Sequence, residues 1–235
     1  MPALLLLLAV LPGAVRTLGA VPPPTTATPL SEPWESAPFT ADPAAVARAA
    51  ERAAAGQKAA VLVLLAESRF SYDEAGRCVT TRRLVYRIQT AQADESWSQV
   101  EALWSPWFEA RPRIRARVVT SDGAAHPLDT ATIVESPERQ IDQTLFGDRR
   151  LLRAPLPATG PGAIVEQEVT TDETAPSFDR GIQHRETLSA GSPVRLARLT
   201  IEVPAAAKLR WAVRRLPEGA PREIVAGGRR RVSFE

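Results

Sequence analysis

Runs in which apolar and polar residues alternate constrain the fold of this chain more than any other feature. Leu84, Tyr86 and Ile88 occupy one set of alternate positions, and the other set includes Arg83, Arg87 and Gln89. Successive side chains of a strand point to opposite faces, so this two-residue period predicts a strand with one apolar face. The same period recurs over residues 113–119, 163–169, 197–203 and 209–213. The chain is therefore predicted to be mainly β.

Turn signals separate these runs and favour an antiparallel β-sandwich. They include Asp122–Gly123, Gly227–Gly228 and the stretches 159–162, 189–193 and 217–221. Residues 61–65, "VLVLL", show no alternation, and such a run predicts a strand buried on both faces. No helical pattern alternates with the strands, which argues against a parallel α/β sheet.

The N-terminal fifth of the chain has a different composition. Residues 21–41 are rich in Pro, Thr and Ser and predict an extended linker. A short helix is predicted to follow, with Asp42 as its N-cap and Pro43 at its first position, and to end near Gly56. The domain is thus predicted to span residues 42–235.

Residues 1–20 resemble a signal peptide. The apolar run from Leu4 to Leu11 is too short to span a membrane, and Pro12–Gly13 ends it. Cleavage is expected after Ala20. We therefore expect an exported protein, periplasmic or secreted, without a transmembrane segment.

Charge and cysteine content exclude several classes of function. Lys and Arg number 29 against 27 acidic residues, a net charge of +2, which does not fit a nucleic-acid-binding surface. The single cysteine, Cys78, cannot form an internal disulfide, and with only two histidines it cannot complete a conventional zinc site. No cofactor is predicted.

Three residues have side chains that could act in catalysis. Cys78 opens a strand beside Arg77, and no histidine follows nearby to act as an oriented base. His126 follows the Asp122–Gly123 turn, and His184 stands alone in "GIQHRET". A structural role is predicted for all three.

Two sets of like charges share strand faces. Glu166 and Glu168 alternate in one strand, as a glycosidase pair sometimes does, and Arg113, Arg115 and Arg117 alternate in another. A solvated face is the favoured interpretation of both sets. The alternatives are a catalytic carboxylate pair and a surface for an anionic partner.

Aromatic residues are most concentrated between residues 97 and 108. Trp97, Trp104, Trp107 and Phe108 are predicted to fill the core or to seal a domain junction. The alternative is a stacking platform for a sugar or a groove for a peptide.

The order of these features resembles a bacterial domain family of unknown function. The resemblance covers residues from about 42 to 235 and rests on "AVLVLLAESRFSYDEAGR", "RRLVYRIQT", "PRIRARVVTSDGAAHPLD" and "PGAIVEQEVT". In that family the domain follows a signal peptide and precedes a transglutaminase-like core. The resemblance implies an immunoglobulin-like sandwich and a transglutaminase-like or protease-like partner domain, with no catalytic residues of its own.

The resemblance therefore predicts a non-catalytic β-sandwich module that positions or covers a partner core. The chain stops at Glu235 inside a strand pattern, "RRRVSFE", so we expect the core to follow in a longer protein. The isolated chain is expected to show neither acyl-transfer nor peptidase activity. The alternative is a free-standing module that binds a carbohydrate or peptide through the Trp97–Phe108 region, and a hydrolase is a more distant third.

Overall fold

The computed structural model describes residues 31–138, 147–176, 185–188, 191–214 and 221–235. These residues form a mainly β structure with two helices, α1 (Pro43–Ala54) and α2 (Ala91–Trp97). The described strands are β1 (Val61–Tyr72), β2 (Cys78–Ile88), β3 (Gln99–Trp104), β4 (Arg113–Val119), β5 (Ala125–Pro127), β6 (Val134–Pro137), β7 (Arg150–Pro155), β8 (Ile164–Asp172), β9 (Ala197–Pro204), β10 (Arg222–Ala226) and β11 (Arg229–Phe234). Short 3-10 helices cover Pro33–Glu35 and Thr130–Thr132.

Eight strands form a large sheet in the order β10-β11-β9-β1-β2-β8-β4-β5. All neighbours are antiparallel except β1 and β9, which run parallel from Ala66↔Ala197 to Ser71↔Glu202. The prediction of a purely antiparallel arrangement is therefore wrong for this one pair. Alternation along a strand records its faces and carries no information on the direction of its neighbour.

The small sheet has the order β3-β7-β6 and packs on one face of the large sheet, here called the inner face. Val63, Tyr86 and Val165 of the large sheet share a buried apolar cluster with Val100 and Leu152 of the small one. The two sheets form the predicted sandwich arrangement. Burial of such side chains drives their association.

Helix α1 covers the opposite, outer face of the large sheet. Asp42 caps it, accepting a hydrogen bond from the Ala45 N–H at 3.0 Å, and Pro43 takes the first position, both as predicted. Its alanine-rich side packs against Leu62, Leu64 and Leu65. A register irregularity between Val63 and Leu65 places Leu64 and Leu65 together on this side. The run 61–65 is thus buried on both faces, as predicted.

Residues 31–41 belong to the domain, and their prediction as part of an extended linker is wrong. Trp34 lies in the buried cluster beneath α1. The Phe39 N–H donates to the Glu166 carboxylate at 2.8 Å. A single large aromatic ring and one buried carboxylate fix a segment whose composition alone suggests a linker.

One predicted strand is also absent. Residues 209–213 alternate in sequence, but the structure assigns no strand to them. Trp211 is half-exposed there, and its ring contacts that of Phe234 with centroids 6.3 Å apart. Packing against one strand end has replaced strand pairing.

The hairpin of β4 and β5 shows why its turn requires glycine. Gly123 has φ +86°, and a Cβ there would lie 3.2 Å from both the Cα and the Cβ of Ala44 in α1. The turn thus needs both the left-handed conformation and the missing side chain.

Candidate functional site

The β10–β11 hairpin presents apolar residues on both of its faces. Gly227 and Gly228, with φ values of 56° and 73°, form its two-residue turn. All five residues of β10 are exposed, including Ile224 at 50% and Val225 at 59%. Because these two are neighbours in a strand, they lie on opposite faces. Neither face of β10 is covered by the residues that the structure describes.

A further exposed apolar residue, Trp211, lies beside the end of β11. Its indole ring contacts Phe234 and is 41% exposed. We call the two exposed residues of β10, Ile224 and Val225, the hairpin surface. Monomeric proteins usually protect an edge strand of this kind, so exposed apolar residues on such an edge indicate a protein-interaction site.

Two ion pairs lie beside the hairpin surface. Arg230 contacts Glu223 at 3.3 Å, and Arg231 contacts Glu202 at 2.5 Å. Partly exposed ion pairs of this kind contribute little to stability. The exposed apolar side chains of Ile224 and Val225 are suited to association with another folded unit.

The four predicted aromatic residues lie in two different environments. Trp97 and Trp104 are half-buried and pack against the cluster between the sheets, and Trp97 contacts Tyr86 with ring centroids 4.8 Å apart. Trp107 is 65% exposed and contacts Phe108, with ring centroids 4.4 Å apart and ring planes tilted by 57°. Whether any of them binds a ligand or seals a domain junction stays a prediction.

A short turn presents Trp107 to solvent. The Glu109 carboxylate accepts a hydrogen bond from the Ser105 N–H, and the Glu109 N–H donates to the Ser105 carbonyl at 2.9 Å. Partial burial raises the pKa of Glu109, and its hydrogen bond from Ser105 opposes that rise. The turn is stabilised locally, so the exposed position of Trp107 does not depend on a ligand.

Glu166 is buried, which makes the prediction of a solvated carboxylate face wrong for this residue. Its two carboxylate oxygens accept hydrogen bonds from Arg83 at 2.5 Å and from Arg117 at 2.9 Å. These arginines also donate to the Ser36 and Ala41 carbonyls. We call Glu166, Arg83 and Arg117 the charge network. It holds residues 36–41 against the outer face, which is a structural role.

Glu168 and two of the arginines match the prediction better. Arg113 and Arg115 are largely exposed; Arg113 contacts Asp172, and Arg115 contacts Glu168 at 3.4 Å. The Arg115 guanidinium also lies 4.5 Å from the centre of the Phe39 ring. The charged side chains on the outer face are therefore buried at the charge network and become more exposed towards these pairs.

Cys78 is buried at the start of β2. Burial raises the pKa of its thiol, which contacts the Thr80 hydroxyl at 3.7 Å. The pKa of Tyr72 is also raised, first by burial and then by the neighbouring Cys78. A thiol that resists ionisation is a poor nucleophile, which agrees with the structural role predicted for Cys78.

His126 lies in β5, on the short strand that follows the turn, as predicted. Its Nε2 is 3.4 Å from the Thr120 hydroxyl. The hydrogen bond from Thr120 is the main cause that lowers the pKa of Asp122 in the same turn. His184 and the cleavage site at Ala20 lie outside the described residues.

The described residues provide neither a metal-binding cluster nor a membrane-spanning helix. No group of three or more His, Cys, Asp and Glu residues in this part of the chain is arranged to hold a metal ion. None of the described helices is long and apolar enough to cross a membrane.

The hairpin surface was not singled out from the sequence, although a signal for it exists. In "REIVA" two β-branched apolar residues stand side by side, so the alternating pattern fails. Adjacent apolar residues in a strand predict that both faces will be covered. The sequence therefore predicts that both faces of β10 will be buried, but it does not show which part of the protein buries them.

Comparison with known proteins identifies the family. The model of DUF3857, a domain of unknown function with a solved structure, matches residues 74–235. The match covers more than half of the chain, so the chain belongs to the DUF3857 family. No curated protein matches it.

Among solved structures, one with a TM-score above 0.5 shares the fold of this chain. A candidate protease from Parabacteroides distasonis aligns with a TM-score of 0.68 and 16% identity, over 74% of this chain and 34% of that one. An M1 zinc metallopeptidase from Deinococcus radiodurans aligns with a TM-score of 0.38 and 14% identity, over 76% of this chain and 39% of that one. The chain thus spans about a third of the length of the Parabacteroides protein.

Proposed function

We propose that this chain is a non-catalytic β-sandwich module of a larger exported bacterial protein, in which it positions or covers a transglutaminase-like or protease-like core. The hairpin surface carries the proposal. Strand β10 has apolar side chains on both faces and lies at the edge of the large sheet. A second folded unit that packs on this hairpin would cover both.

The comparisons support a modular role. In the Parabacteroides candidate protease, the region that resembles this chain is about a third of the protein. A domain of this fold therefore occurs beside other domains in a protein assigned to peptide-bond chemistry. The transglutaminase-like nature of the core comes from the resemblance seen in the sequence and is part of the proposal.

The properties of Cys78 support a non-catalytic module. A transglutaminase-like core uses a cysteine thiolate beside an oriented histidine. Here the one cysteine is buried and its pKa is raised. The acyl-transfer or peptidase chemistry is thus assigned to the following core.

Export is part of the same proposal and rests on residues 1–20. N-terminal sequencing of the exported protein should show a first residue close to position 21. Exported material that still begins at Met1 would contradict it.

The decisive experiment compares this chain with the product of the complete reading frame. Genomic sequence past Glu235 should continue into a core with its own cysteine. Hydrogen exchange should then be slower for the backbone amides of β10 in the longer protein than in the 235-residue chain. Strand β5, at the other edge of the large sheet, is the internal control and should exchange equally in both. A stop codon after Glu235, or unchanged exchange in β10, would refute the proposal.

The second candidate function, a free-standing module for carbohydrate or peptide, rests on one observation. Trp107 is 65% exposed and contacts Phe108 through tilted rings, which leaves much of the indole open to a ligand. Trp107→Ala should then abolish binding of a sugar oligomer to the purified chain without changing its unfolding transition.

A further inference from the structure

A cleft opens on the inner face of the large sheet where the three-stranded sheet ends. The small sheet covers one half of that face, where Val63, Tyr86 and Val165 lie. Beyond β3 the inner face continues, and a cavity of about 380 Å³ lies over it. Its floor includes Ser68 and Thr80. The cleft is therefore the space in which a fourth strand of the small sheet would lie.

Strand β3 presents an open edge to this cleft. The Leu156 N–H donates to the Ser98 carbonyl at 2.8 Å, so Ser98 and every second residue after it direct their backbone groups towards β7. The backbone groups of Gln99, Glu101 and Leu103 consequently point the other way. Among the described strands none pairs with this side of β3. Such an edge is a template for an added strand.

Gln167 supplies an unused acceptor in the same cleft. It lies on β8 and lines the cavity, and its side-chain Oε1 is fully buried without a hydrogen-bond partner. Buried polar atoms are almost always paired in folded proteins, so an exception of this kind requires an explanation. A backbone N–H of a bound strand would satisfy it.

The charges that line the cleft are compensated by arginines. Glu186 contacts Arg82 at 3.2 Å, and its carboxylate also accepts a hydrogen bond from Ser68 at 2.9 Å. Glu101 contacts Arg153 at 2.9 Å. Glu67 also borders the cleft, but it alternates with Ala66 and Ser68 along β1, so its carboxylate is on the outer face, where it contacts Arg198 at 3.7 Å. Each charged side chain that the structure describes in the cleft is therefore paired, which suits an uncharged ligand.

The remaining lining distinguishes a peptide from a sugar. Leu84, Leu103 and Val169 provide apolar contacts, and the described lining residues include no aromatic ring. Sugar recognition usually relies on stacking against such rings, whereas an added strand relies on backbone groups and alternate apolar pockets.

We propose that this cleft binds an extended, uncharged peptide segment of another protein, which adds to β3 as a fourth strand of the small sheet. Alternate side chains of the peptide would face Leu84 and Val169. The outward backbone groups of Gln99, Glu101 and Leu103 would pair with its backbone, and Gln167 would accept one further N–H.

The test uses the 235-residue chain and a pool of capped octapeptides with Val, Leu or Ala at alternate positions and Thr between them. Addition of the pool should shift the amide resonances of Gln99, Glu101 and Leu103 and slow their hydrogen exchange. N-methylation of alternate peptide nitrogens should abolish both effects, because it removes the donors that a strand needs.

Matched variants separate backbone pairing from general damage. Leu103→Pro removes one outward N–H from β3 and should weaken the best-binding peptide about tenfold. Glu135→Pro removes an outward N–H from β6, the opposite edge of the same sheet, and should leave the affinity within about twofold. Gln167→Leu should also weaken binding, while the free chain keeps its stability because a buried unpaired acceptor is removed.

Several results would overturn the inference. These are no amide shifts with any peptide, equal losses in both proline variants, unchanged affinity in both Leu103→Pro and Gln167→Leu, or binding of cellohexaose in place of peptide. The experiment requires no core after Glu235. It can therefore succeed where the proposed modular function fails, and the reverse.

Discussion

Two stretches of the large sheet have the same kind of sequence and opposite surroundings. Residues 61–65 of β1 and residues 224–225 of β10 both place apolar residues side by side in a strand. In β1 both faces are buried, one by α1 and the other by the small sheet. In β10 both faces are exposed. Consecutive apolar residues thus predict that both faces of a strand are buried. Within the described residues, this holds for β1 and not for β10.

The ion pairs near β1 and those near β10 also differ in burial. At the centre, the charge network fastens residues 36–41 over the outer face and is itself buried. At the edge, the pairs of Glu223 and Glu202 with arginines are partly exposed to water. The same kind of ion pair is therefore expected to matter greatly in the first region and little in the second.

The largest effect is expected from Glu166→Gln, which removes the carboxylate that lies between buried Arg83 and largely buried Arg117. Leaving Arg83 and Arg117 without a counter-charge should lower the free energy of unfolding by about 4 kcal/mol. Urea denaturation would measure it. The control is Glu168→Gln, whose partner Arg115 is exposed, and it should cost less than about 1 kcal/mol. Equal losses of stability in the two variants would contradict the expected difference between buried and exposed ion pairs.

The next effect tests the apolar part of the comparison. Leu64 is fully buried beneath α1, and Leu64→Ala should cost about 3 kcal/mol through lost burial and the cavity that remains. Ile224→Ala in β10 removes a similar side chain from an exposed position and should cost less than about 0.5 kcal/mol. Both changes can be measured by urea denaturation of the 235-residue chain. A large loss for Ile224→Ala would mean that β10 is already covered.

Cys78 tests how far the covered region extends along β2. Its raised pKa keeps the thiol protonated as pH rises through its ordinary range, and burial restricts access, so a thiol reagent at pH 8 should react much more slowly with the folded than with the urea-unfolded chain. Cys78→Ser should keep the fold and lose about 1 kcal/mol, because a hydroxyl replaces a buried thiol. Equal reaction rates in the two states would place Cys78 outside the core.

The smallest effect is expected at the hairpin surface. Ile224→Thr combined with Val225→Thr keeps β-branched residues in β10 and should leave the stability of the 235-residue chain within about 0.5 kcal/mol. In the longer protein the same pair should cost clearly more, because the replaced side chains would be buried against the core. An equal effect in both proteins would count against a cover at β10.

Local patterns predicted the elements with a strong period or a clear end signal. Asp42, Pro43 and the alanines after them defined α1, and the run 61–65 indicated burial on both faces. Strands β3, β6 and β7 were not predicted. The prediction for residues 209–213 failed because alternation shows only that two faces differ, and a strand also needs a neighbour with free backbone groups.

By itself, the sequence determined the β character of the chain, the position of α1 and the burial of residues 61–65 on both faces. Tertiary structure alone decided which polar residues are buried, which strands pair, and which apolar runs are covered on both faces. Glu166 and Glu168 lie two residues apart on one strand face, yet only Glu166 contacts residues 36–41 and lies between Arg83 and Arg117. The physical reason is that a strand's period specifies the direction of each side chain, whereas burial depends on what the rest of the chain brings to that face.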